Sequence, residues 1–244
     1  MKKMKKKSRS IFSVAILVIL AVFGLQARAS ADNVSGSAGF GYGHNAADPI
    51  LGYSTASGSL GTVFANVKYD GAYASFQYVG ANHDAHETVA TLGYVRDLGG
   101  CFKGDVSYTY DTSNGVYGTT HRLAASLDTP SLYGVTPNFV FGRLFANNDS
   151  SLPDLWVGKA GLKTSIDAAG QPINLSAYLA GYSAINSKLQ DRTFATAIFS
   201  ANVPVEVVKS VFLTPYATYV VPSNYLASAV APRFSWGINA SVNF

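Results

Sequence analysis

The chain has 244 residues, of which 48% are apolar, 13% aromatic and only 13% charged, with a formal net charge of +4. Seven of its 18 basic residues and none of its acids fall in the first 31 positions, so the other 213 residues carry 11 bases against 14 acids. The basicity therefore belongs to the leader and gives no case for a nucleic-acid partner, and a lone cysteine, Cys101, excludes an internal disulfide framework.

The leader reads MKKMKKKSRS, IFSVAILVILAVFGL, QARASADN: a cationic start, an apolar run from Ile11 to Leu25 and small residues at cleavage spacing. This predicts a secretory signal peptide over residues 1–31, cut after Ala29 or Ala31. The apolar run is 15 residues long, short of the roughly 20 that a helix needs to span a bilayer. No cysteine follows it, which argues against a lipoprotein. Residues 32–244 show no linker and no shift in composition, so they are read as one unit.

From there the sequence alternates with period two in segments punctuated by turn residues, with no helical stripe. The first, 33–44, carries GFGYGHN. That stretch lacks the full G-x-G-x-x-G spacing and no helix follows, so it is no phosphate loop. In strand phase Gly39, Gly41 and Gly43 point inward, either to leave room or to pack against a bulky neighbour. His44 opens the following loop as a polar rim residue. Segments 58–69 and 72–81 join at Asp70-Gly71, with Lys68 in the inward phase. Segment 86–97 follows NHDAHE, where His83, Asp84 and His86 read as a solvated loop rather than a metal site.

Segment 101–111 has Phe102, Val106, Tyr108 and Tyr110 on one face and Lys103, Asp105 and Ser107 on the other. Segment 117–128 puts Arg122 and Asp128 inward and His121 outward with Leu123 and Leu127. Cross-strand pairing of Lys103 with Asp128, and of Asp105 with Arg122, is expected. Segment 135–146 contains FVFGRLF, in which Arg143 shares the phase of Phe139, Phe141 and Phe145. Either that strand bulges or Arg143 snorkels to the rim. Segment 154–167 puts Trp156 and Leu162 outside and Lys159 and Lys163 inside, with no acid evident near the two lysines. Segments 172–184, 191–203, 209–220 and 232–244 complete the set.

Polar faces built of Ser, Thr, Asn and Gly rather than Lys and Glu suit a closed barrel with lipid outside and a polar lumen. The expected fold is an all-β, closed antiparallel transmembrane β-barrel of twelve strands, or ten if segments 72–81 and 135–146 are mis-split. Outward aromatics support it. Phe40, Tyr42, Tyr78, Tyr108, Tyr110, Trp156 and Tyr219 fall toward the predicted outer rim. Tyr69, Tyr94 and Phe244 fall toward the periplasmic one.

The last strand, FSWGINASVNF, ends on an aromatic with alternating apolar residues before it. Trp236, Ile238, Ala240, Val242 and Phe244 resemble the C-terminal signature of Gram-negative outer-membrane β-barrel proteins, and the chain as a whole is porin-like. The resemblance implies location in the outer membrane, contact with its lipid and lipopolysaccharide, and recognition by the barrel-assembly machinery.

The expected function is a channel for small hydrophilic solutes with a weak anion preference, set by the pore-lining residues Lys68, Lys103, Asp105, Arg122, Asp128, Lys159 and Lys163. A closed structural or adhesive barrel with external binding loops is the alternative. A lipid-modifying enzyme using His121 ranks third, because the neighbouring strand offers that histidine no serine. No motif requires a cofactor or a metal.

Overall fold

The computed structural model describes residues 34–47, 54–81, 86–114, 118–147, 154–184, 193–222 and 234–244. They form thirteen strands: β1 (Val34–Ala47), β2 (Ser54–Tyr69), β3 (Ala72–Ala81), β4 (His86–Gly99), β5 (Phe102–Asn114), β6 (Gly118–Asp128) and β7 (Val135–Ala146), followed by β8 (Leu155–Ala168), β9 (Gln171–Ala184), β10 (Thr193–Asn202), β11 (Val205–Val208), β12 (Val211–Pro222) and β13 (Phe234–Asn243). Consecutive strands pair antiparallel except β10 and β11, and two pairings close the ring. β1 bonds to β13 as well as β2, and β10 bonds to β12 as well as β9. Twelve strands make the wall, as the alternation predicts.

The extra element, β11, continues β10 past an interruption. The register of β10 against β12 runs from Thr196↔Pro222 to Asn202↔Tyr216 and resumes at Val205↔Leu213. Val203 still donates to Pro215 O at 3.1 Å, but Pro215 has no N–H to return, so the ladder breaks there. The sequence reading ended this strand at 203 and took the next residues as turn.

Three turns share one device. Asp70-Gly71, Tyr133-Gly134 and Ala169-Gly170 each hold two successive residues at positive φ, the backbone that matches the twist of a two-residue hairpin. These turns, with Val34 and Asn243, lie at one end of the barrel, called here the turn end. The connections at the other end, the loop end, fall largely outside the described residues, and with them His83 and Asp84.

The two faces separate as predicted. Leu92, Val106, Leu123, Phe141, Leu162 and Leu179 stand outward at 51–66% exposure. Arg143 is outward too. The register of β7 against β8 runs unbroken from Val135↔Thr164 to Leu144↔Leu155, so there is no bulge. The guanidinium lies over the rings of Phe145, 4.6 Å from its centroid, and Trp156, 5.5 Å away.

The inward face carries a surprise. Leu144, Leu155, Val157, Tyr182, Ile198 and Val220 are buried together near the loop end. The lumen is therefore polar along much of its length and apolar on one side of its outer part. The sequence reading took the inward faces as mostly Ser, Thr, Asn and Gly and expected no apolar cluster there.

Candidate functional site: the lumen

Inward aromatics sit in sockets made by glycines of the next strand. The register places Tyr73 opposite Gly93, Phe64 opposite Gly39, Tyr178 opposite Gly161 and Tyr216 opposite Gly237. A side-chain carbon on any of these glycines would run into the facing ring. Each ring thus lies against the wall instead of crossing the bore. This answers the question left by GFGYGHN. Gly39 accommodates Phe64, Gly41 the Asn239 side chain, and Gly43 the Tyr216 hydroxyl, so close packing explains all three.

With the rings flattened, two cavities remain along the lumen. One, of about 530 Å3, is lined by Asn66, Gln77, Glu87, Arg122, Tyr216 and Asn239 among others. The second, of about 620 Å3 toward the turn end, is lined by Thr136, Lys163, Asn174, Ser176, Tyr178 and Asn202 among others. Neutral pairs such as Asn174–Asn202 at 2.9 Å and Thr91–Thr109 at 3.0 Å brace the wall between them.

The predicted charges all face inward, but with different partners. Asp128 is level with Lys103 in the ladder, yet its Oδ1 accepts from Asn138 at 2.5 Å and from Lys163 at 2.9 Å. The expectation that no acid lies near Lys163 is therefore wrong. Asp105 is level with Ser126, and Arg122 with Thr109. Asp105 accepts instead from the Tyr73 hydroxyl, at 3.1 and 3.0 Å to its two oxygens. Lys159 sits 3.8 Å above the centroid of the Tyr178 ring, a cation–π contact. Lys68 and Lys103 are exposed near the turn end.

The predicted pore lining left out inward acids, although the alternation of 101–111 already puts Asp111 on the polar face with Lys103 and Asp105. Glu87, Asp97 and Asp111 pair in register with Ser113, Lys103 and Val89, in the phase of Asp105. The phase of Leu92 and Tyr94, which are plainly outward, would have located the first two. With these acids the wall is closer to charge balance than the predicted set implies.

The described histidines, His44, His86 and His121, belong to the outward rim. His44 stacks on Trp236 and His86 on Tyr78, with centroids 6.3 and 6.1 Å apart. His121 Nδ1 meets the Tyr108 hydroxyl at 2.5 Å, and its ring lies 5.2 Å from that of Tyr110. These contacts build an interfacial girdle. At the seam, Phe244 exchanges backbone hydrogen bonds with Gly36 at 2.8 and 3.0 Å and lays its ring over that glycine.

No protein-family model matches the chain, and no curated protein matches it in sequence. Solved structures do resemble it. The KdgM porin, solved in complex with disordered oligogalacturonate, superposes with a TM-score of 0.58 at 8% identity, over 85% of this chain and 99% of that one. The NanC porin gives 0.56 at 10% identity, over 84% and 98%. The translocator domain of the autotransporter NalP from Neisseria meningitidis gives 0.50 at 14%, over 98% and 97%. The chain therefore has the closed-barrel fold of outer-membrane porins.

Proposed function

We propose that this chain is a non-enzymatic outer-membrane channel for small hydrophilic solutes, with a weak preference for anions. In this reading residues 1–31 are an export signal and the assembly machinery recognises Trp236, Ile238, Ala240, Val242 and Phe244. The observation that carries the reading is the lumen: cavities lined by polar and apolar side chains alike, beside aromatic rings lying over glycines of the facing strand. Charged walls of this kind tune an ion's barrier through the pore.

The anion preference rests on Lys159 and Lys163, which project inward from one strand four residues apart. Glu87, Asp97 and Asp111 offset it, which is why it is weak. The KdgM complex makes an acidic oligosaccharide such as oligogalacturonate the first solute to test here.

A closed barrel is the second reading, and the buried apolar cluster around Leu144 and Val157 favours it. Planar-bilayer recording on refolded protein separates the two. Discrete conductance steps whose reversal potential leans toward anions support the channel, and a silent, correctly folded barrel supports closure.

A further inference from the structure

We propose that the outward face spanning β6 to β9 binds one phosphate-bearing lipid of the outer leaflet, with an acyl chain in an apolar trough and the phosphate on Arg143 and His121. The inference goes beyond channel function and rests only on the barrel standing in a membrane. Its test does not measure conduction, so the two readings can fail separately.

The trough follows from residue size. On β8 the outward residues below Trp156 are Gly158 and Ala160, and on β9 Gly181 faces Gly158. Phe139 and Phe141 rise on one side and Leu179 on the other, flanking an open trough of about 480 Å3. A side-chain carbon added at Gly158 would meet nothing within 4 Å. Phe141 stacks on Trp156 at 5.3 Å, which stiffens one bank of the trough.

The charge follows from position. Arg143 pairs with Trp156 at the head of the trough. Placing a guanidinium in a lipid-facing row is costly unless its donors are used. Asp154 takes one of them at 3.5 Å, while the other Asp154 oxygen is held by the Ala146 N–H at 2.9 Å. The Arg143 side chain as a whole stays 36% exposed, and a guanidinium has five N–H donors in all. His121 is level with Phe145, the next outward residue on β7 beyond Arg143, a diagonal separation of about 7–8 Å. In the tautomer that accepts the Tyr108 hydroxyl at Nδ1, Nε2–H is the donor left over. Two donors above a chain-sized trough match a phosphate ester on an acyl chain.

The test is native mass spectrometry of the purified barrel, with phosphatidylglycerol and the phosphate-free diacylglycerol of identical chains in competition. Wild type should retain one phosphatidylglycerol in preference by about tenfold, the weight of one charge-assisted hydrogen bond. Arg143→Gln should bring the ratio near one. Gly158→Leu should abolish retention of both lipids, with Ala160→Leu filling the same trough if the first does not fold. Gly61→Leu, on an open outward position of β2, is the control and should change nothing. An unchanged preference in Arg143→Gln overturns the headgroup assignment, and retention in Gly158→Leu overturns the trough. A wild-type dimer that holds neither lipid would make this face a self-interface and sink the proposal.

Discussion

Lys163 and Asp128 meet across an intervening strand, the lysine Nζ on β8 standing 2.9 Å from the carboxylate on β6. β7 passes between them and contributes Asn138 to the same carboxylate. The pair is 35 residues apart in sequence and partly exposed to the lumen. It is thus a wet ion pair whose two members pull permeant ions in opposite directions.

Removing each member should therefore shift selectivity with opposite sign. Asp128→Asn exposes the lysine and should move the reversal potential toward anions, while Lys163→Gln should move it toward cations. Each costs at most about 1 kcal/mol of stability, as exposed pairs do. The combined Lys159→Glu, Lys163→Glu variant should lean furthest toward cations. The measurement is reversal potential in a low-salt gradient, where screening is least. Shifts of the same sign in both single variants would show that the pair does not face the permeation path.

Gly93 and Tyr73 should behave as one unit. The atoms nearest to an alanine carbon at 93 are outer ring atoms of Tyr73, so Gly93→Ala should swing that ring off the wall and away from Asp105. Overpacking of this kind costs about 1–3 kcal/mol, readable in a urea titration of the refolded barrel, and conductance should fall. Adding Tyr73→Ala should recover most of both losses. Strict additivity of the two changes would contradict the socket.

The last two residues should differ in their importance for assembly. Phe244 covers Gly36 on the outward face of the seam, whereas Asn243 faces inward, with its N–H bonded to Ser210 O at 2.8 Å. Phe244→Asp should lower the yield of heat-modifiable barrel far more than Asn243→Asp, because a charge on the lipid face is penalised and one in the lumen is hydrated. Matching yields would argue against the terminal signature.

Leucines of the two faces should respond differently to truncation. Leu144 is 1% exposed in the luminal cluster, so Leu144→Ala leaves a cavity and should cost about 2–5 kcal/mol. Leu179 is 66% exposed on the outward face. There lipid tails fill the space that alanine vacates, and the loss should be well under half as large. Comparing unfolding midpoints in vesicles checks this, and comparable losses would question the luminal placement of the cluster.

Alternation made the wall legible because a barrel sorts every residue by parity. It could not show Lys163 reaching Asp128, since that contact depends on the stagger of three strands rather than on neighbours in sequence. Nor could it show the apolar cluster. FVFGRLF is apolar in both phases, and parity alone does not say that Leu144 faces other side chains while Phe145 faces out. Arg143 was ambiguous for the same reason, and the unbroken β7–β8 register settled it. Pro204 was visible as a strand breaker, but not the resumption of the ladder beyond it.

That resumption leaves the molecule with an open selvedge. β11 bonds to β12 on one side and, among the described residues, to no strand on the other, so its free backbone groups could recruit a strand from another chain. Four features blunt that risk. β11 is four residues long, and Pro204 stands at its entry. A register shift falls between Glu206 and Val208, and Glu206 is engaged by the Ser210 N–H at 2.8 Å. Lengthening this overhang, or replacing Pro204 with a β-branched residue, would turn a tidy hem into a nucleus for aggregation during export, when the chain waits unfolded beside its own copies.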